Sequence, residues 1–300
     1  MKKSSVLRLG ASVMALGALA AVALTAGEKT VSAQAALPTP LKFVSQLDLK
    51  CYKTPSSVAI NQPLTLTHLN PVLQQLGLPA ENVLVRELQE TCVPVAKNNV
   101  LPDSSVLPFA RFVDLACYRI EAPPPTTTVS LSLTHLNPVL RQAGVPVESV
   151  TLGQARQLCV PVAKNNLTPP ADVLRLVQHI DLKCYDVSPP YNLNQPLNIR
   201  HLNPLLTSLP QENNLVTARQ QLCVPVAKNS QPIPADVLNI IRWLDLEKFQ
   251  IQAPPLPSPV PLTLRHLNPL LVNWPQSQVS LLQANSLLVP VAKNNQIPPG

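Results

Sequence analysis

One nine-residue phrase constrains this chain more than any other feature. "LCVPVAKNN", Leu158 to Asn166, returns as "TCVPVAKNN" from Thr91, "LCVPVAKNS" from Leu222 and "LLVPVAKNN" from Leu287. A second phrase, "HLNP", begins at His68, His135, His201 and His266, which gives a period of roughly 65 residues. A third, "LDLKCY" from Leu47, recurs as "VDLACY" from Val113, "IDLKCY" from Ile180 and "LDLEKF" from Leu244. Self-similarity at such a period marks repeated supersecondary units. The expected units are residues 41–99, 106–166, 172–230 and 236–295.

Within a unit, Leu47, Leu49 and Cys51 alternate with Asp48, Lys50 and Tyr52, the period of a half-buried strand. Leu64, Leu66 and His68 alternate with threonines in the same way. Asn70 followed by Pro71 reads as a helix cap and first helical residue, and Gly77 or, in later copies, Pro210 and Pro275 end the turn. "VPVAK" predicts an edge strand, because proline cannot donate to a central ladder. The Pro-led connectors, such as "TPPADVLRLVQH", predict short linker helices. The fold class expected is therefore β-rich α+β: four tandem, disulfide-stapled antiparallel units with short helices at HLNP and in the linkers.

Six cysteines allow fifteen full pairings, and the alignment of copies selects one. Copies one to three hold Cys51 and Cys92, Cys117 and Cys159, and Cys184 and Cys223, whereas copy four has Lys248 and Leu288 at those positions. Joint loss is what a bonded pair predicts, since a single leftover thiol is a liability in an oxidising compartment. Each bridge closes a loop of about 40 residues, worth roughly 4 kcal/mol. Copy four carries both tryptophans, Trp243 and Trp274, and Phe249 in place of tyrosine. Aromatic packing is the expected substitute for its bridge, with at least one tryptophan largely buried within that copy or where it meets copy three.

Lys2, Lys3 and Arg8 precede an apolar stretch from Leu9 to Leu24, and small residues at Val31, Ala33 and Ala35 follow. That is the grammar of a signal peptide over residues 1–35. Export is expected, to the outside of the cell or to the bacterial cell envelope, with no membrane span after cleavage. The formal charge of +7 falls to about +4 once the leader's charges are removed, and the basic residues are scattered singly, which argues against nucleic acid as a partner. Thirty-five prolines stand against seven glycines. Phosphate loops, dinucleotide fingerprints and the GxSxG elbow all need clustered glycine, so no cofactor is expected.

The candidate binding residues are those that recur: His68, His135, His201 and His266, and Lys97, Lys164, Lys228 and Lys293. Asp48, Asp114, Asp181 and Asp245 recur beside them. No second histidine or carboxylate recurs at metal-ligand spacing, so no metal is expected. No serine or unpaired cysteine recurs with them as a nucleophile, so no catalytic residue is assigned.

The order "DLKCY … HLNPVL … LCVPVAKN" resembles an uncharacterised repeat of secreted bacterial proteins that opens on a Cys-Tyr strand and closes on Leu-Cys-x-Pro-x-x-Lys. The resemblance covers residues 43 to 295, and copy four departs from it at both cysteines. It implies export and modular repetition, and no activity. The expected function is that of an exported, non-enzymatic structural or binding protein, its partner an envelope polymer or a protein. The alternative is a secreted hydrolase or other enzyme using the recurrent histidine and aspartate.

Overall fold

Period-two alternation in the D-L-x-C-Y strands suggests one wet face, yet Asp48 to Tyr52 are buried without interruption. The reason is a closed sheet covered on its outside. The computed structural model describes residues 36–56 and 58–300; the expected signal peptide, residues 1–35, lies outside the described residues. Copy one contributes α1 (Pro40–Ser45), β1 (Asp48–Lys53), β2 (Ala59–His68), α2 (Pro71–Gln75) and β3 (Glu81–Lys97). Copy two contributes α3 (Leu107–Ala110), β4 (Leu115–Glu121), β5 (Val129–His135), α4 (Pro138–Gln142) and β6 (Glu148–Lys164). Copy three contributes α5 (Ala171–Val177), β7 (Leu182–Ser188), β8 (Asn192–His201) and β9 (Glu212–Lys228). Copy four contributes α6 (Ala235–Ile241), β10 (Leu246–Gln252), β11 (Pro255–His266) and β12 (Ser277–Lys293). The fold is β-rich α+β, with a large antiparallel sheet, short helices and three disulfides.

Strand pairing runs β1–β3–β4–β6–β7–β9–β10–β12 and returns to β1, antiparallel throughout. Eight strands, two from each copy, close one barrel. The copies are staves of a single body. An eight-stranded barrel has a lumen that side chains alone can fill. Here the filling is Leu49, Leu115, Leu182, Leu246 and the six cysteines, all buried. This apolar set is continuous with Phe43, Phe109, Leu176 and Ile240 of the linker helices. Helix α1 packs on α6 and α3 on α5.

The bridges are Cys51–Cys92, Cys117–Cys159 and Cys184–Cys223. Each joins residues directly opposite on neighbouring strands of one copy. They also meet each other: the sulfurs of Cys92 and Cys117 lie 3.6 Å apart, and those of Cys159 and Cys184 3.9 Å.

Strands β3, β6, β9 and β12 are each 17 residues long and overrun their barrel partners. Their first halves form hairpins with β2, β5, β8 and β11. Their last residues pair with a short strand from the copy two places away: β3 with β8, β9 with β2, β6 with β11 and β12 with β5. These hairpins bury the barrel's outer residues, including Tyr52, Tyr118, Tyr185 and Phe249, in a second apolar layer. Hence both faces of the D-L-x-C-Y strands are dry.

The VPVAK segments are central, not edge strands. On one side of β3, partner β4 ends opposite Cys92 and partner β8 begins opposite Val95. Pro94 lies between them, where its missing N–H costs no ladder bond. Its carbonyl accepts the backbone N–H of Leu202, and Pro161, Pro225 and Pro290 accept from Leu267, Leu69 and Leu136 in the same way.

HLNP opens a helix in copies one and two and only a turn in copies three and four, with the same asparagine cap in each: Asn70, Asn137, Asn203 and Asn268 accept from the N–H two residues on. Copy four is held differently from expectation. Phe249 is fully buried, but Trp243 and Trp274 are only half-buried, and Trp274 packs against Tyr118 of copy two rather than at copy three. At the bridge position stands Lys248, opposite Leu288. Its ammonium crosses the lumen to Glu90 Oε2 of copy one at 2.5 Å and to Gln157 Oε1 of copy two at 2.9 Å. Asn285 donates to the same Glu90 at 2.8 Å. A polar strut stands where the other copies have sulfur.

Candidate functional site

Each recurrent charged residue has a partner set by the barrel. Lys97, Lys164, Lys228 and Lys293 end their long strands and pair, buried, with Asp48, Asp114, Asp181 and Asp245 of their own copies. Each aspartate also accepts from the HLNP asparagine of the next copy, through the oxygen its lysine leaves free in Asp48, Asp114 and Asp245 and through the oxygen shared with Lys228 in Asp181. Asn137 reaches Asp48 (2.7 Å), Asn203 reaches Asp114 (2.6 Å), Asn268 reaches Asp181 (3.2 Å) and Asn70 reaches Asp245 (2.6 Å). The last contact joins copy one to copy four and closes a ring of four. Burial pushes the carboxyls of Asp114 and Asp245 up to about 6 against the pull of their lysines. Burial likewise drives all four lysines below their ordinary value.

The asparagine after each lysine, at positions 98, 165, 229 and 294, has positive φ, which asparagine tolerates better than most residues. Its amide oxygen accepts the backbone N–H of Asn198, Thr263, Thr65 and Ser132 respectively, again in the copy two places away. The aspartate and both asparagines of the repeated phrases are therefore joints between copies, and each lysine pairs with the aspartate of its own copy.

The histidines end β2, β5, β8 and β11 and are buried. His68 shares a hydrogen bond with Tyr185 (3.0 Å), His201 with Tyr52 (2.7 Å) and His266 with Tyr118 (3.0 Å). Burial lowers these imidazoles to about 3, 3 and 4 and raises the phenols, Tyr118 to about 12, so a neutral phenol donates to a neutral ring. Each histidine serves the copy opposite it.

His135 is the exception, because its opposite number is Phe249, with ring centroids 6.0 Å apart. Its Nε2 lies 3.5 Å from Glu247 and 4.0 Å from Glu148. Both carboxylates are buried and both bond Arg219 of copy three. Desolvation raises Glu247 to about 7 despite Arg219, and lowers His135 to about 4. Arg219 occurs where the other copies have Leu88, Ala155 and Ala284, so no repeat signal could single it out; nor could the cross-lumen Lys248 be found from local pattern.

On the surface, Leu78 to Asn82 of copy one and Pro123 to Thr127 of copy two flank a cleft of about 510 Å³. Val129 of β5, Leu152 and Gly153 of β6 and Tyr185 of β7 complete its lining. None of the recurrent histidines or lysines lines it. Glu81 does, with its side chain 19% exposed while its carboxylate bonds the fully buried Lys183. Sequence reasoning did not find this cleft, since its walls come from three copies and from loop residues outside the repeated phrases.

Among the described residues, one close group of metal-ligand types exists, Cys51, Glu90 and Cys92, but its two sulfurs are bonded to each other and its carboxylate to Lys248. No helix among the described residues is long and apolar enough to cross a membrane. Comparison with known proteins gave no matching family model, no matching curated relative and no matching solved structure.

Proposed function

We propose that this protein is an exported, non-enzymatic binding protein: a disulfide-stapled barrel that presents an apolar surface cleft. The observation that carries the reading is the full use of the recurrent chemistry inside the fold. Every repeated lysine, aspartate and HLNP asparagine is consumed in the ring that joins the copies, and three of the four histidines are consumed by tyrosines. A general base must reach its substrate's proton within hydrogen-bond distance, and these groups are turned away from the cleft. Three bridges with no free thiol favour an oxidising compartment, and the leader-like N-terminus points to the same place. An apolar cleft with few polar groups is the usual form of a small-ligand site.

Two measurements test this reading. Protein recovered from outside the cytoplasm should begin just after Ala33 or Ala35, and intact residues 1–35 would defeat export. The purified protein should show no turnover of ester, peptide or glycoside substrates above background. Turnover abolished by His135→Gln and Asp48→Asn would replace this reading with the hydrolase alternative.

A further inference from the structure

The barrel's fourfold pseudo-symmetry supplies four equivalent places on its outer layer. Each lies over the aromatic residue of a D-L-x-C-Y strand, beside the loop that follows the opposite copy's HLNP turn. Two are filled by the chain itself, and the repeat alignment places a buried leucine at a third. Over Tyr118, Trp274 stands edge-on, with centroids 5.6 Å from the tyrosine and 5.2 Å from His266. Over Phe249, Arg219 lies against the Tyr191 ring at 5.2 Å and donates to the Pro189 carbonyl at 3.1 Å. In the layer that holds Tyr52, Leu256 is buried. Leu256 belongs to "QAPPLP" in copy four, and its counterpart in "EAPPPT" of copy two is Pro125.

The fourth place, over Tyr185, has no such occupant. Trp274 is replaced there by Leu76, whose side chain is exposed, and Leu256 by Pro125, which stops at the rim of the cleft. The wall is bare too. Gly153 stands where the other copies carry Arg86, Thr217 and Leu282. A Cβ at Gly153 would meet the Asp186 carbonyl at 3.3 Å, so the glycine lets β7 approach closely. The carboxylate at this place is also the most open of its kind: Glu81 is 19% exposed, against 5% for Glu148 and for Glu212.

We propose that the cleft over Tyr185 binds an aromatic ring of indole size carrying an N–H donor, the ring taking the place that Trp274 takes over Tyr118 and the donor facing Glu81. The proposal rests on the binding reading above. The same ring could arrive as a free small molecule or as a tryptophan side chain on a peptide.

The test is titration of the intact, oxidised protein with indole and, separately, with N-acetyltryptophanamide, followed by backbone amide shifts. Both should shift Gly153 and Asn82 saturably at one ligand per chain, and the tighter of the two names the source. Benzofuran, which has the shape without the N–H, should bind at least fivefold more weakly. Pro125→Leu, which imports the plug of copy four, should weaken indole at least tenfold. Trp274→Ala should gain a second indole site over Tyr118. No saturable shift in the wild type, unchanged binding in Pro125→Leu, or a stoichiometry that stays at one in Trp274→Ala would each overturn the assignment. Equal affinity for benzofuran would overturn the donor specificity. Turnover of a substrate would defeat the binding reading above while leaving these shifts in place.

Discussion

Copies one and three meet through a symmetric set of contacts, and copies two and four do not. Between one and three, Lys50 pairs with Glu212 and Lys183 with Glu81, while Tyr52 bonds His201 and Tyr185 bonds His68. Between two and four, the lysine position holds Ala116 at one contact and Glu247 at the other, and the glutamate position holds Ser277 and Glu148. One contact has lost both charges. The other has two carboxylates, balanced by a single arginine borrowed from copy three. The same backbone joint thus accepts an ion pair, a neutral pair or a clamped acidic pair. The choice is electrostatic bookkeeping confined to a few side chains, because hydrogen bonds of the Asp–Lys–Asn ring already fix the geometry.

The largest effect should come from placing one charge at the neutral contact. Ala116→Lys would bury an ammonium opposite Ser277, with no carboxylate to meet it. An uncompensated buried charge costs about 3–5 kcal/mol and overpacking adds about 1–3 more. Adding Ser277→Glu should recover most of that loss and convert the contact into the copy one–three type. Urea unfolding of the single and double variants measures both. A double variant no better than the single would show that the two joints are not interchangeable.

Next in size is Arg219→Leu, which leaves Glu148 and Glu247 facing each other without a cation. The expected loss at pH 8 is about 4 kcal/mol, in the range for breaking a buried pair. Glu247→Gln in the same background should restore part of it. An Arg219→Leu protein as stable as wild type would mean that the two glutamates are already neutral.

How much of this was legible in sequence depends on the distance over which a residue acts. The disulfide pairs, the Asn70 cap and the linker helices follow from local pattern, since the partners lie within one copy. Closure does not follow, because repetition says that copies are alike and says nothing about which of them touch. Asn70 meeting Asp245 is a contact 175 residues apart in sequence. Pro94 looked like an edge residue because the rule sees a missing donor. It cannot see that two different strands share one flank of β3 and leave a gap there. Copy four misled for a related reason. Its tryptophans offered an evident substitute for the lost bridge, but the lumen is filled from the opposite wall by Glu90 and Gln157, so the lysine at position 248 carries the role. The surface cleft was invisible because each equivalent place meets different residues, and only the folded barrel shows which place is left open.

The acidic contact should also give the copy two–four joint a pH response that copy one–three lacks. Glu247 titrates near 7 when folded and near 4.5 when free. A carboxyl raised by folding binds its proton more tightly in the native state, so it favours the fold at low pH and loses that contribution as pH rises from 4.5 through 7. The interval corresponds to about 3 kcal/mol. His135, lowered to about 4, acts oppositely: its contribution is lost as pH falls from 6.5 toward 4. Comparing wild type with Glu247→Gln isolates the first term. The variant should be the more stable protein at pH 8, and its advantage should shrink toward pH 5. A constant difference across that range would remove Glu247 as the titrating group.

Trp274→Ala should have the smallest effect, and it separates the joint's aromatic part from its charged part. The ring is half-buried and makes two edge-on contacts, with Tyr118 and His266. Aromatic pairs of this kind contribute about 0.5–1.5 kcal/mol each beyond area burial. Partial exposure reduces the area term, so a loss of roughly 2 kcal/mol is expected, well below the cost of a fully buried tryptophan. Because all four copies close one barrel, the loss should appear as a uniform shift of a single unfolding transition. Copy four should not melt first, and near-UV signals from both tryptophans should fall together with the far-UV signal. A separate early transition would mean that copy four can leave the barrel by itself. The Lys248 strut and the Asn70–Asp245 closure would then be weaker joints than the three bridged copies.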